Sequence, residues 1–328
     1  MRNNTVSRWL NRSSYSATAW VLFIGLLVLA GSRAPYLFTD GGAGSLIVTS
    51  TPLILSAIAL TATVLVGSGV DLSIGPALVF VNVVLVKFLF DNQIGTPWIV
   101  VAAAIGVGVL VQVIQALVIT FARIEPVIVT LAAFLALSGL NLLILDKPQG
   151  TAPNWLNSWG LGQQFLNPML FLLIIALVIW GLFTRTAFFA NVKLVGANPR
   201  TAYVSGIPVT LTRIGAHVVS GVFIGLAGLA YTGMIGSGNP GQGDTYTLAA
   251  VTALVLGGTA LAGGKGGVLG SLPGALAVAL ISFTLSTFSL GALSGFVTQL
   301  AYGAILVLAL SIGVIVSRIV SSRKQRAL

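Results

Sequence analysis

The chain has 328 residues, 56% hydrophobic and only 7% charged, and its mean hydropathy is +1.04. A soluble domain carries about 25% charged residues because its surface faces water, so an ordinary soluble fold and a separate globular catalytic head are both excluded. The formal net charge of +10 sits at the chain ends and in short gaps between apolar runs, which reads as topogenic charge and not as a nucleic-acid surface.

With no cysteine, disulfides, thiolate metal sites and a cysteine nucleophile are also out. Residues 1–16 form a basic N-terminal segment. The apolar run Trp20–Ala30 resembles a signal peptide, but the rest of the chain is equally apolar, so it reads as a first span. Apolar runs bounded by Gly, Pro or charge predict ten transmembrane helices, at 17–32, 46–67, 72–90, 98–121, 127–145, 168–184, 213–235, 247–262, 268–289 and 297–316. Long continuous runs of Leu, Ala and Val do not fit membrane strands. The expected fold is therefore an all-α integral membrane protein, with one membrane domain over 17–316 and a basic tail over 317–328.

Lys and Arg in alternate connections give the orientation. With the N-terminus inside, the inner set is Arg2, Arg8, Arg12, Arg123, Arg185, Lys193, Arg200, Arg213, Lys265, Arg318, Arg323, Lys324 and Arg326. The outer set is Arg33, Lys87 and Lys147. That asymmetry puts both termini in the cytoplasm. The outer segment Asp146–Asn167, with Pro148, Pro153, Trp155 and Trp159, reads as an ordered interfacial loop. The inner segment Arg185–Thr212 is longer than a tether needs, with a turn at Gly196–Pro199 and a short helix around Arg200–Val204, and reads as a docking surface.

TATVLVGSGVDLSIGPAL (61–78) echoes TALVLGGTALAGGKGGVLGSLPGAL (252–276), as expected of two related halves. Gly257–Gly267 fails as a phosphate loop: counting back from Lys265, Thr259 stands where the first glycine belongs, and Gly266 replaces the Ser or Thr. Gly236–Gly241 matches GxGxxG but follows a span and contains Pro240, so it reads as an outer loop. The GxxxG pairs Gly221/Gly225, Gly270/Gly274 and Gly291/Gly295 read as close helix packing.

His217, the only histidine, has no partner for metal or triad chemistry and reads as a hydrogen-bonded packing residue; no catalytic or metal-ligand residue is nominated. All six carboxylates fall in connections or at span ends, Asp71 and Glu125 at the inner ends, which speaks against ion coupling. The mid-span polar groups are neutral. Asn82, Gln112, Gln115 and Asn141 are the candidates for a path taken by an uncharged polar solute, with interhelical hydrogen bonding as the competing reading.

GSGVDLSIG (67–75) closely resembles the GGIDLSVG signature of ABC-importer permeases for ribose, galactose and related sugars, carried here by Gly69, Asp71, Ser73 and Gly75. IEPVIVTLAAF (124–134) is similar to that family's IPPFIVTLG segment. VKLVGANPRTAYVSGI (192–207) is similar to its AIGGNPEAARLSGI loop, and VLGGTALAGGKGGVLGSLPGAL (255–276) to its VIGGTSLAGGRGSVLGTLLGAL. The resemblance runs from about residue 50 to 310. It departs at Glu125 (a second proline in the family), at Phe189-Ala190 (Gly-Arg) and at TYTLAAVT (245–252), which lacks the family's acidic residues.

The resemblance implies a type II ABC importer-like permease in a bacterial inner membrane, working with a second permease subunit, a cytoplasmic ABC ATPase and a periplasmic solute-binding protein. It implies no cofactor on this chain, with ATP and magnesium on the partner ATPase. It makes Val192, Lys193, Gly196, Asn198, Pro199, Arg200, Ala202, Ser205 and Gly206 the ATPase-coupling residues, with Gly196 and Pro199 setting the turn and Ala202 facing the ATPase groove. A permease for a branched-chain amino acid or nucleoside is the alternative within this class. An ion-coupled secondary transporter is the alternative outside it.

Overall fold

The computed structural model describes residues 5–162, 164–288, 293, 295–308 and 311, with side chains from Ala19 onward. The basic tail, the end of the last expected span and Gly291 lie outside them. The described helices are α1 (Thr5–Arg33), α2 (Asp40–Leu65), α3 (Ile74–Val84), α4 (Pro97–Phe121), α5 (Pro126–Ile144), α6 (Asn154–Asn157), α7 (Pro168–Thr184), α8 (Ala187–Ala197), α9 (Pro199–Val204), α10 (Val209–Ile235), α11 (Gly243–Leu256), α12 (Val268–Ser286) and α13 (Gly295–Leu308). A π-helical turn, Leu85–Phe90, prolongs α3. No strand occurs among the described residues, only an isolated bridge between Gln149 and Gly238.

Local chemistry starts these helices where the chain punctuates them. Proline, which has no amide hydrogen to lose, opens α4, α5, α7 and α9. The side chains of Thr39, Asn167, Thr186 and Asn198 accept from the first-turn amides of α2, α7, α8 and α9.

Among the described residues, α2, α4, α5, α10 and α12 are long and apolar enough to cross a bilayer alone. The pair α7–α8 is bent by 76°, and residues 19–33, 74–90, 243–256 and α13 are shorter apolar helices. The ten expected runs fall on helix as far as they are described, but not all are full-length. The run expected over 247–262 stops at Leu256, because Gly257 and Gly258 (φ +72°) break it. Fourteen residues of helix reach about 21 Å, short of a ~30 Å hydrocarbon core.

α2 and α10 form the centre. α2 is buried on every side from Ser50 to Leu65, and α10 packs on α4, α2 and α3. α5 and α7 are peripheral and show apolar side chains outward, Leu143 at 80% exposure among them. Such a surface belongs in lipid or against another membrane chain. α2 packs on α12 as α3 packs on α11, the reciprocal contact that exchange between two related halves requires.

Two of the three glycine pairs do what their spacing implies, whereas Gly295 has open space around it and its partner Gly291 lies outside the described residues. A Cβ on Gly221 would lie 2.5 Å from the Val109 Cα, and one on Gly225 2.5 Å from the Ala104 carbonyl oxygen, so α10 and α4 touch backbone to backbone. Gly270 and Gly274 press in the same way on Gly257, just past the end of α11, and on Ala253 within it.

The segment expected as an ordered loop, Asp146–Asn167, is held by its own contacts. Trp155 donates to the Gly95 carbonyl at 2.7 Å and stacks edge-on with Trp159 at 5.4 Å. Gln149 and Gly238 exchange backbone hydrogen bonds, which ties this loop to 236–241.

Candidate functional site

Two interruptions of the helix pattern meet at one end of the bundle, the end that carries Arg123, Arg185, Arg213 and Lys265. The first, between α2 and α3, needs positive φ at Gly67 (+76°) and Gly69 (+66°). Asp71 then turns into the bundle and is fully buried. Its Oδ1 accepts from the Ser73 amide at 2.8 Å and the Ser73 hydroxyl at 2.7 Å, and its Oδ2 accepts from Gln112 Nε2 at 2.5 Å. Gln115 donates to Ser73 Oγ at 2.8 Å. Because the Gln112 amide nitrogen faces the carboxylate, its oxygen must be the acceptor from His217 Nδ1, 2.7 Å away.

Asp71 stands between α2 and α3, at a span end as expected, but its side chain is fully buried, so the bundle holds a carboxylate inside although none falls at mid-span. The reading of His217 as a hydrogen-bonded packing residue stands, but Gln112 links it to a carboxylate that the linear order hides.

The second interruption, 257–267, lies between α11 and α12 and has five glycines at positive φ. Backbone meets backbone here, the Gly264 amide donating to the Leu65 carbonyl at 3.0 Å, and the hydroxyls of Thr61 and Ser271 pair beside it at 2.9 Å. Gly196, at the end of α8, fills the remaining space. A Cβ there would collide with the Leu65 carbonyl and come within 2.7 Å of the Gly264 nitrogen. Gly75 is a close-approach glycine too, set against Gly243 and hydrogen-bonded to Thr247 Oγ1 at 3.1 Å.

The segment 185–212 contains two helices where one was expected. Thr186 caps α8, and Phe188 and Phe189 anchor it beside Trp180 and Phe183 of α7. Val192 and Val195 are buried, while Lys193 lies 5.0 Å from the Phe189 ring. Asn198 caps α9 through the Thr201 amide at 3.1 Å, and Pro199 opens it.

Two expectations are corrected here. Gly196 is helical and serves close packing; the corner belongs to Asn198 and Pro199. Ala202 is only 3% exposed and faces this chain's own core, so it cannot face a partner's groove. Outward stand Arg200, Tyr203, Val204, Ser205 and Gly206, with Tyr203 at 74% and Val204 at 80% exposure.

The four candidate path residues serve as internal ties. Gln112 and Gln115 hold the first interruption. Asn82 donates to Thr232 Oγ1 and to the Ser237 carbonyl, both at 2.9 Å, and accepts from the Asn239 amide. Asn141 donates to the Pro76 carbonyl at 3.1 Å. Beside the two interruptions opens a cleft of about 560 Å³, whose walls include Gly67, Gly69, Thr120, Arg123, Glu125 and Arg213.

A family model described as "branched-chain amino acid transport system / permease component" matches residues 42–315, a stretch that contains both interruptions, α8, α9 and the cleft. The chain belongs to this permease family. Among similar proteins, a fructose import permease protein of Rhizobium meliloti is 30% identical over 68% of this chain and 64% of its own length. A galactose/methyl galactoside import permease protein of Haemophilus influenzae is 29% identical over 67% and 68%. A ribose import permease protein of Escherichia coli is 26% identical over 90% and 94%. The chain thus spans just under two thirds of the first of these relatives and nearly all of the last. No solved structure matches it.

In this permease the signature Gly69, Asp71, Ser73 and Gly75 is one built object, a buried turn locked from α4 and α11. Sequence reasoning missed the joining of Asp71, Gln112 and His217, which come from three separate elements. The available signal was three polar residues in otherwise apolar runs, since a polar side chain buried among apolar helices requires a partner.

Proposed function

We propose that this chain is the membrane permease subunit of an ATP-driven importer that carries a monosaccharide across the bacterial inner membrane by alternating access. The observation that carries the reading is the route from α9 to the membrane helices. An exposed apolar tip, Tyr203 and Val204, continues into α8, whose end is packed without clearance between the two interruptions. A push on α9 reaches both breaks through contacts too close to absorb it. The names of the relatives supply the sugar. The family description favours a second reading, a branched-chain amino acid as solute.

On this reading the segment 185–212 and both termini face the cytoplasm, and Asp146–Asn167 faces outward. A cytoplasmic ABC ATPase binds and hydrolyses ATP with magnesium, so the permease itself is not an enzyme. A second permease subunit covers the apolar side of the bundle, and a periplasmic binding protein delivers solute to the outer face. Cysteines introduced at Ala197 and Ser158 test the orientation: in intact cells an impermeant thiol reagent labels Ser158→Cys and spares Ala197→Cys, and the reverse pattern refutes it. The solute is tested by mass spectrometry of what the purified binding protein carries, and by ATP-dependent uptake of labelled ribose, fructose, galactose and leucine into vesicles. Leucine uptake without sugar uptake would overturn the sugar reading.

A further inference from the structure

The cleft beside the two interruptions holds two guanidinium groups, Arg123 and Arg213, and neither makes an ion pair among the described residues. Both are held at a cost that topogenic charge does not require. Arg123 has φ +54°, in the left-handed region that favours glycine. Arg213 has its Nε buried without a hydrogen-bond partner, as is Thr120 Oγ1 on the same cleft. An arginine placed only to orient the chain satisfies its role fully solvated. Arg123 is exposed and Arg213 half-buried, so two cations without an ion pair among the described residues line one cleft, and a guanidinium fork matches the oxygens of phosphate.

Glu125 also lines the cleft. It weakens the hold on a bare anion but can accept hydrogen bonds from hydroxyl groups. The volume, about 560 Å³, is in the range of small-molecule sites and well beyond that of a lone phosphate. We propose that this cleft binds a small sugar phosphate, its phosphate on Arg123 and Arg213 and its hydroxyls on Glu125.

The proposal rests on the orientation given above for its access from the cytoplasm. The cleft walls come from the turn between α4 and α5, the first turn of α10 and both interruptions. A ligand bridging them pins together the elements that must separate during transport. Occupancy therefore slows import when phosphorylated sugar accumulates inside, the reaction class that consumes the imported solute being phosphoryl transfer to it.

The test uses the full-length chain in phosphatidylcholine nanodiscs, without ATPase or solute, so its result is independent of the uptake assay. Ribose 5-phosphate, inorganic phosphate and ribose are titrated by calorimetry. Expected is saturable binding of ribose 5-phosphate, at least about tenfold tighter than inorganic phosphate, with none for ribose. Arg213→Gln and Arg123→Gly each weaken it by about tenfold or more. Arg123→Gly suits the left-handed backbone, and so removes charge without adding strain. Ribose 5-phosphate binding no tighter than inorganic phosphate, or indifferent to both substitutions, overturns the proposal. Loss of binding in nanodiscs containing phosphatidylglycerol also overturns it, since the occupant is then a lipid headgroup.

Discussion

The two helix interruptions occupy equivalent places in the two halves and are stabilised in different proportions by side chains and by backbone contact. Between α2 and α3 a buried carboxylate gathers donors from Ser73 and Gln112, and Gln112 is held in turn by His217. Between α11 and α12 no buried carboxylate intervenes among the described residues; Thr259 Oγ1 accepts from the Gly267 amide at 3.3 Å, and Gly257, Gly264, Gly270 and Gly274 let backbones meet directly. Both solutions satisfy buried amides and carbonyls that a broken helix frees. They fail differently. A hydrogen-bonded turn loses its bonds one at a time, whereas a glycine contact has no room for partial loss.

The largest effect should therefore come from the glycine side. A Cβ on Gly274 already collides with the Ala253 carbonyl and would lie 3.0 Å from the Gly257 nitrogen. Gly274→Leu is expected to prevent stable assembly, read as loss of monodisperse protein after detergent extraction. Normal expression and transport in this variant would show that α11 and α12 do not depend on backbone contact.

Asp71 is the corresponding test of the polar side. Asp71→Leu strands the Ser73 amide, the Ser73 hydroxyl and the Gln112 amide in the bundle, at a cost of about 3 kcal/mol. Asp71→Asn keeps an acceptor at nearly the same volume and should cost about 1 kcal/mol. Thermal unfolding of both variants in one detergent measures the difference. Equal losses would mean that size, not hydrogen bonding, holds the turn.

The contrast between the interruptions also marks what could be read in the sequence. The glycine side was legible, because GxxxG spacing at Gly221/Gly225 and Gly270/Gly274 reports a local helical face whose only use is close approach. Span positions were legible for the same reason, since hydropathy is a property of consecutive residues. The polar side was not. Asp71 was placed by its position at the end of an apolar run, and nothing local says that the following turn dips inward to meet α4. Ala202 was misplaced in the same way. Its small size fits a tight groove, but which groove depends on how α9 lies on α8, and only the fold decides that.

The segment 185–212, proposed to meet the ATPase, extends the comparison to a surface where packing and charge can be separated. Tyr203 and Val204 are exposed at the tip of α9, and Ala202 is turned into the core. Tyr203→Ala is expected to lower co-purification of the ATPase by about tenfold while leaving the permease folded, as truncating a central aromatic contact does. Ala202→Trp should instead destabilise the permease itself, because a buried site has no space for an indole. An Ala202→Trp protein with native stability and failed coupling would return that face to the partner.

The smallest effect is expected at Arg200. It is exposed, one residue after the proline that opens α9, and makes no ion pair among the described residues. Removing it leaves no buried partner unsatisfied, so the loss is confined to attraction between solvated charges, at most about 1 kcal/mol. That attraction is screened over a Debye length of about 8 Å at physiological salt and less at higher salt. Arg200→Ala should therefore weaken ATPase association less than about fivefold at low ionic strength and imperceptibly at high ionic strength. The loss from Tyr203→Ala should change little between the two, because apolar burial is not screened. Titrating the ATPase against both variants at two salt concentrations makes the distinction. An Arg200→Ala deficit that persists at high salt and matches that of Tyr203→Ala would mean that α9 is held by a desolvated charge, as the first interruption is, and not by packing, as the second is.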